Sequence, residues 1–239
     1  MKVAALLTGK GNNTLKDKNV LDILGHPVLF YPAQAAKKCA LINSFYCSSD
    51  GMKVLNAARE LGYQPIIRPA ELALPQSQHI DCIMHALNIM HSNSDVPDIL
   101  VVLLANNVTV KSTWITDCIE MMIKDMSISA VVPVFEQNEF HPLRAKKTNS
   151  DGTLAMYEDG VIGNISTNRQ DLPKCYFLAN NYWILNVKKL LSGEVGQPPW
   201  SFMGKRVFPY QIKEALDIHN MTDLYIAKEW VEHNYDDFN

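Results

Sequence analysis

The sequence of 239 residues lacks the features that mark a membrane, secreted or nucleic-acid-coating protein. It has no apolar run of the ~18 residues that a membrane-spanning helix needs. Its net charge of −3 provides no positive excess for coating a nucleic acid. The first strand-like segment has neither the charged start nor the small-residue cleavage site of a signal peptide. We therefore expect a cytoplasmic protein that binds neither membrane nor nucleic acid.

Paired cysteines are also absent. The five cysteines are dispersed and form no Cys-x-x-Cys pair. An odd, scattered set is typical of reduced, buried thiols and not of disulfides or a zinc site. The positions are Cys39, Cys47, Cys82, Cys118 and Cys175.

What the chain does have is an alternation of short apolar runs and longer segments with helical apolar spacing. This alternation predicts an α/β fold over residues 1–239 as one domain, with a mainly parallel sheet and helices on both faces. The predicted strands are Val3–Leu7, Ser44–Cys47, Gln64–Ile67, Ile99–Leu104 and Ala130–Val134. The predicted helices are Pro27–Cys39, Met52–Leu61, Ile80–Met90 and Thr113–Met126.

The alternation stops after Phe135, where residues 136–174 become polar and carry the turn signals "NSDG" and "YEDG". Leu154–Tyr157 and Val161–Ile165 could form a hairpin around Asp159-Gly160. The segment is too long for an ordinary connection, so it is a subdomain, a lid or an oligomerisation arm. Beyond it, "CYFLANNYWILNV" and "RVFPYQI" predict strands, and Met221–His233 predicts a helix capped by Asn220.

The loop after the first strand, "TGKGNNTLKDKN", is the first candidate site. In an open parallel sheet, ligands bind beyond the carboxyl ends of the strands. Gly9 and Gly11 allow backbone N–H groups to approach an anion, and Lys10, Lys16 and Lys18 add positive charge. The loop matches neither standard phosphate-binding fingerprint. It holds a polyphosphate or is a solvated basic loop with turn glycines.

Several ordered stretches carry a resemblance to a known family. They are "LKDKN" with "LDILGHPVL", "CSSDGMKVLNAARELGYQPIIRPAELA", "HPLR", "NRQDLP" and "ALDIHNMTDLYIAKEWV". In this order and spacing the chain resembles the acylneuraminate cytidylyltransferases, the family of CMP-sialic acid synthetases. The resemblance extends along nearly the whole chain.

The resemblance implies a Rossmann-like nucleotidyltransferase fold with an inserted dimerisation element, and a homodimer or a dimer of dimers. The implied substrates are CTP and an acidic sugar, the products are CMP-sugar and pyrophosphate, and the cofactor is Mg²⁺, with Mn²⁺ as an alternative. Such a transfer depends on positioning and on neutralisation of phosphate charge more than on a covalent nucleophile.

The resemblance assigns nucleotide binding to seven residues in the first loop and the "RPAEL" stretch. Lys18 is matched to the family's Lys-Asn pair and is also assigned to catalysis. The family's early arginine falls on Gly9, so Lys10 could replace it, and the family's serine falls on Asn12. Arg68 could instead form a salt bridge with Glu71. The seven residues are Leu7, Gly9, Lys10, Gly11, Asn12, Lys18 and Arg68.

Asp217 is assigned to catalysis and to the metal, because the family has Asp-Ile-Asp where this chain has Asp217-Ile-His219. Histidine is a poorer Mg²⁺ partner, so Asp217 could bind the metal alone or His219 could hold a metal-bound water. Asp223 is expected in the first helical turn, where a carboxylate is favoured. Asp50 is expected to cap the helix that starts near Gly51.

The resemblance assigns the acceptor to five residues: Asn106, Arg169, Gln170, Asn180 and Asn181. Arg169 could clamp a sugar carboxylate with two parallel hydrogen bonds, or could pair across a dimer. The chain departs from the family most at "LLANNVTVKS" and "ELALPQSQHID". This predicts an acceptor other than ordinary N-acetylneuraminic acid: another nonulosonic or ulosonic acid, or a phosphonate. A non-catalytic relative that binds a nucleotide is the remaining alternative.

Overall fold

A computed structural model describes residues 1–11, 13–158, 160 and 165–238. The strands are β1 (Val3–Thr8), β2 (Asp22–Ile23), β3 (His26–Pro27), β4 (Ser44–Ser49), β5 (Gln64–Ile67), β6 (Ile99–Leu104), β7 (Ala130–Glu136), β8 (Lys146–Thr148), β9 (Leu154–Met156), β10 (Tyr176–Leu178), β11 (Tyr182–Asn186) and β12 (Val207–Gln211). The α-helices are α1 (Phe30–Lys37), α2 (Met52–Glu60), α3 (His79–Ser92), α4 (Ser112–Lys124), α5 (Val187–Leu191) and α6 (Met221–His233). Short 3₁₀ turns include Lys18–Val20, Ala70–Leu72, Pro142–Arg144 and Arg169–Asp171.

The central sheet is mainly parallel, as the alternation predicted. β1 pairs in parallel with β4 and β6, β4 with β5, and β7 with β12. β10 and β11 run antiparallel to β7 on the side opposite β12, and β11 also pairs with β6. They act as one strand interrupted between Leu178 and Tyr182. The central strand β1 is buried along its whole length, which is typical of a sheet covered on both faces.

Helices cover both faces of this sheet, which confirms the predicted layers. Side chains of α1, α2, α4 and α6 pack into one apolar core with the odd-numbered residues of β1. Side chains of α3 and the start of α5 pack into a second core against Ala4 and Leu6 of the same strand. Alternate side chains of β1 therefore pack into opposite cores.

The late segment, residues 137–174, lies outside the central sheet. Its described strands β8 and β9 form a separate antiparallel pair. The "NSDG" turn joins β8 to β9, and the hairpin expected around Asp159-Gly160 stays a prediction. Asn149 N–H donates to Thr153 O at 2.8 Å, and Gly152 has a φ of +83°. Asp159 and residues 161–164 of that prediction lie outside the described residues.

The carboxyl-terminal helix and the cysteines follow the sequence predictions. Asn220 Oδ1 accepts from Asp223 N–H at 3.1 Å, and an Asp223 carboxylate oxygen accepts from Asn220 N–H at 3.0 Å. This reciprocal pair is a capping box, so Asn220 and Asp223 do begin α6. All five cysteines are free thiols, and four of them are buried; the prediction of burial was wrong for Cys175, which is half-buried. Among the described residues, none of the helices is long and apolar enough to span a bilayer.

Candidate functional site

A cleft of about 200 Å³ opens beyond the carboxyl ends of the parallel strands. Its walls come from the end of β1 and the loop that follows it, from the residues after β5, from the start of α3 and from the end of β6. An adjoining groove of about 560 Å³ shares Lys10, Asn13 and Lys18 with the cleft and reaches His219. The sequence located this edge of the sheet correctly, because parallel strands end together.

The first loop is folded tightly against the start of α2. Gly11 N–H donates to Asp50 Oδ1 at 2.8 Å. A Cβ at Gly11 would lie 2.6 Å from Gly51 Cα, so the two backbones touch and a glycine is required. The expectation that Asp50 caps α2 was wrong. The N-cap is Gly51, and the Asp50 carboxylate holds the loop instead.

Two asparagines and Lys10 complete the shape of this loop. Lys10 O accepts from the Asn13 side chain at 2.7 Å and from the Asn19 side chain at 2.9 Å. The Lys10 ammonium donates to Leu74 O at 2.8 Å, which joins the loop to the far wall of the cleft. Asn19 is 2% exposed, so this bond lies in the interior of the loop. Asn12 lies outside the described residues.

Lys18 lies at the wall shared by the cleft and the groove. Its ammonium donates to Ile218 O at 2.9 Å. Burial lowers the pKa of Lys18, while the negative charges of Asp217 and Asp223 oppose that shift. Lys18 therefore couples the first loop to the segment before α6.

Arg68 is buried beside the cleft at 5% exposure. Its guanidinium donates to Ser48 O at 2.8 Å and to Ser48 Oγ at 3.2 Å. Within the described parts of the chain it forms no ion pair with Glu71, so that alternative was wrong. A buried cation whose described hydrogen-bond partners are neutral, as those of Arg68 are, favours an anionic ligand.

Asp217 lies just behind the wall of the cleft. Asn106, which lines the cleft, donates to Asp217 Oδ1, and His219 Nε2 lies 3.0 Å from Asp217 Oδ2. Ile218 N–H donates to Asn106 O at 3.1 Å and keeps the two segments in register. Burial raises the pKa of Asp217, and the neighbouring His219 and Lys18 partly offset that rise.

Other predicted site residues lie away from this cleft. Leu7 is fully buried in the core behind the cleft and does not line it, whereas its neighbour Thr8 does. Arg169 and Gln170 are exposed on the late segment and do not line the cleft. Asn180 has a φ of +49°, and its buried side-chain oxygen has no hydrogen-bond partner among the described residues.

Asn181 is fully buried, and its side chain is used within the protein. Its amide donates to Thr109 O at 2.7 Å, and its side-chain oxygen accepts from Tyr182 N–H at 2.9 Å. These bonds hold the loop after β6 in place. The predicted direct contact between Asn181 and a sugar therefore has no exposed polar atom to make it.

The sequence interpretation missed Thr8 and the start of α3, where Gln78 and His79 line the cleft. A helix N-terminus that follows "RPAEL" was the available signal. It carried no recognisable ligand spacing, and only the packing of α3 beside β1 brings it to the site.

Fold and cleft together define a class: an α/β protein with three cations, Lys10, Lys18 and Arg68, around a cleft at the sheet edge, suited to a polyphosphate. The sequence profile of the cytidylyltransferase family matches residues 11–185. The chain belongs to the cytidylyltransferase family. This confirms the resemblance on which the expected nucleotide rests.

Individual relatives agree with this assignment. The chain is 24% identical over 221 residues to a pseudaminic acid cytidylyltransferase of Campylobacter jejuni, covering 91% of this chain and 90% of the relative. It is 26% identical over 218 residues to an N-acylneuraminate cytidylyltransferase of Streptococcus agalactiae, covering 89% of this chain and 49% of the relative. Identities at this level over most of the chain are consistent with common descent.

Solved structures support the fold alone. A CMP:2-keto-3-deoxy-manno-octonic acid synthetase complexed with CTP superposes with a TM-score of 0.70 at 11% identity, covering 98% of this chain and 100% of the other. A 4-diphosphocytidyl-2C-methyl-D-erythritol synthase from Anaerococcus prevotii gives 0.65 at 10% identity, covering 97% and 98%. The Rossmann-like nucleotidyltransferase fold is thus confirmed.

Proposed function

We propose that this cytidylyltransferase transfers CMP from CTP to a hydroxyl group of an acidic sugar of the nonulosonic or ulosonic class, releasing pyrophosphate. The observation that carries the proposal is the convergence of Lys10, Lys18 and the buried Arg68 on one cleft, where no described residue gives Arg68 an acidic partner. Relatives named for pseudaminic acid and N-acylneuraminate support the class of acceptor.

The chemistry is a displacement at the α-phosphorus. The acceptor oxygen forms a bond to this phosphorus while the bond to the β-phosphate's bridging oxygen breaks, and pyrophosphate leaves with that oxygen. The acceptor's proton passes to solvent. Lys10 and Lys18 hold the triphosphate along the first loop, and their charges stabilise the negative charge that builds up on the leaving group. The positive charge of Arg68, which is buried beside the cleft, attracts the nucleotide.

Mg²⁺ fits this donor set as an ion shared with substrate. The described residues contain no group of three or more His, Cys, Asp and Glu that could hold an ion alone. Mg²⁺ commonly takes one or two carboxylates and completes its shell with waters and substrate phosphates. Asp217 is the proposed carboxylate, with His219 beside it. The ion, when bound, neutralises phosphate charge.

The acceptor contacts remain proposals. Asn106 lines the cleft and can reach an acceptor hydroxyl there. Arg169, Gln170 and Asn180 do not line the cleft. We propose that Arg169 and Gln170 act on the acceptor from the late segment, and that Asn180 acts on it from the turn between β10 and β11. Asn181 acts by holding the loop after β6.

We propose a homodimer, or a dimer of dimers, that uses the late segment as the contact. Phe140, Leu154 and Tyr157 are 74%, 70% and 66% exposed on it, a high exposure for apolar side chains. The reaction is proposed to take place in the cytoplasm, where free thiols stay reduced. Light scattering of the purified chain, with Phe140→Ser as the variant, tests the assembly; a monomeric parent chain would refute it.

The direct test is pyrophosphate release from CTP with Mg²⁺ or Mn²⁺ and a panel of acidic sugars. ATP, GTP and UTP serve as nucleotide controls, and a phosphonate acceptor is included in the panel. Release with CTP and one acidic sugar is expected. Release only with the phosphonate would change the acceptor class. A rise in melting temperature with CTP but no release with any acceptor would indicate a binding-only relative.

A further inference from the structure

Asp217 lies in the connection between β12 and α6, residues 212–220, all of which the structure describes. In this connection Asp217 itself forms an isolated antiparallel bridge with Asn107, in the loop after β6. The direction of the Asp217 carboxylate is therefore set by the hydrogen bonds that hold the connection against that loop. One of these bonds comes from Thr109, a residue to which neither the sequence nor the cleft has given a role.

Thr109 is fully buried between two apolar neighbours in the chain, Val108 and Val110. Its hydroxyl accepts from Leu216 N–H at 3.1 Å and donates to Asn107 Oδ1, so it is used both as a donor and as an acceptor. Burying a hydroxyl costs free energy unless the group is bonded, and a valine of the same shape would fill the space without that cost. The two bonds therefore account for a hydroxyl at this position.

The Thr109 hydroxyl is presented to Leu216 from a well-fixed base. Asn107 Oδ1 also accepts from Thr109 N–H at 3.0 Å, and Thr109 O accepts from the Asn181 side chain at 2.7 Å. Asn107 and Asn181 are fully buried, as Thr109 is. Because solvent does not reach these side chains, it does not compete for the bond to Leu216.

Two hydrogen bonds hold the backbone on either side of Asp217. Thr109 Oγ1 accepts from Leu216 N–H, and Asn106 O accepts from Ile218 N–H at 3.1 Å. The Asn106 side chain then donates to Asp217 Oδ1. The bond to Leu216 is made by a side chain, so a substitution can remove it and leave the backbone bond at Ile218 in place.

We propose that Thr109 is a positioning residue for Asp217: through Leu216 N–H, its hydroxyl holds the Asp217 carboxylate in place for a divalent cation shared with the nucleotide. The inference rests on the proposed function, because it takes Asp217 as the carboxylate that shares Mg²⁺ with CTP. Thr109 is buried and touches neither the cation nor the substrate. Groups that orient metal ligands in this way commonly contribute about 10- to 100-fold to metal affinity.

The test measures how much Mg²⁺ raises the affinity for CTP. The full chain is titrated calorimetrically with CTP, in EDTA and in excess Mg²⁺, without an acceptor. Thr109→Val keeps the size of the side chain and removes the hydroxyl, whereas Thr109→Ser keeps the hydroxyl. We expect Thr109→Val to lower the Mg²⁺-dependent gain about tenfold and to keep the affinity in EDTA within about twofold. Thr109→Ser should keep the gain within about threefold.

Two further variants separate positioning from general loosening of the fold. Thr116→Val is the matched control, since it removes a hydroxyl from α4, where Thr116 Oγ1 donates to Ser112 O at 2.9 Å. It should keep both affinities within about twofold. Asp217→Asn should lower the Mg²⁺-dependent gain, and adding Thr109→Val to it should lower the gain no further, because both changes act on one carboxylate.

Three results would overturn the role of Thr109. They are an unchanged gain in Thr109→Val, an equal loss of CTP affinity with and without Mg²⁺ in that variant, and a loss of gain in Thr109→Ser as large as in Thr109→Val. If Thr109→Val does not fold, Thr109→Ala also lacks the hydroxyl and takes its place, and the expected result for Thr109→Ser stands unchanged.

The failure of this inference is distinguishable from failure of the proposed function. A parent chain whose CTP affinity rises with Mg²⁺, while Thr109→Val keeps the full rise, refutes only the role of Thr109. A parent chain that binds CTP equally with and without Mg²⁺ refutes the role of Asp217 as well. A parent chain that binds no CTP refutes both the inference and the proposed function.

Discussion

The first loop and the late segment are both long, polar and rich in turn residues, yet they differ in how the fold uses them. The first loop is fastened to α2 by Asp50, is in backbone contact with Gly51, and carries cations into a cleft. The late segment carries its own small hairpin and exposes large apolar side chains. From this comparison we expect the first loop to bind the nucleotide and the late segment to take part in recognition of the acceptor.

The largest effect should come from the cations of the first loop. Lys18→Ala should lower kcat/KM for CTP by about 10²- to 10³-fold, because it removes the half-buried positive charge that we propose holds the phosphates. Lys16→Ala, which changes an exposed lysine in the same loop, should stay within about twofold. Pyrophosphate release at varied CTP measures both. Equal, small effects would mean that the loop is only a solvated basic turn.

The second largest effect should be a difference in stability between glycine substitutions in the two regions. Gly11→Ala should destabilise the protein by about 3 kcal/mol, because its Cβ would meet backbone atoms of Gly51. Gly152→Ala in the late hairpin has nothing within 4 Å and should cost only about 1 kcal/mol, from its φ of +83°. Urea unfolding measures both. Equal costs would show that the first loop is not tightly packed.

The late segment should affect the acceptor and not the nucleotide. Arg169→Ala should raise KM for the acidic sugar about tenfold and leave KM for CTP unchanged, because a carboxylate loses a charged hydrogen-bond partner. Arg59→Ala on α2 removes the same charge away from the cleft and serves as the control. A loss confined to CTP would place Arg169 on the nucleotide side.

The smallest effect concerns pH. The carboxylate form of Asp217 is the one that binds a cation, and its raised pKa puts the acidic limb of activity above that of a free aspartate. His219→Ala removes a neighbour that lowers this pKa, so the acidic limb should move to higher pH. Rates across pH at saturating Mg²⁺ measure it. A limb that moves to lower pH, or stays in place, would uncouple His219 from Asp217.

The sequence by itself determined the order of strands and helices, because apolar spacing records which face each element buries. It also determined the edge of the sheet that holds the cleft, because parallel strands end on one side. The sequence also identified Lys10, Lys18 and Arg68 as candidate site residues, because each follows a strand or belongs to a recognisable stretch.

Only the tertiary structure decided which polar groups are free. Asp50 and Asn181 have site-like chemistry in the sequence, yet their side chains hold backbone groups of neighbouring segments. His79 had no recognisable spacing, yet packing of α3 against β1 brings its ring to the cleft, with Nε2 at 3.0 Å from Thr8 Oγ1. A residue's type and position along the chain set what it can bond, but partners distant in sequence decide which of its atoms remain available.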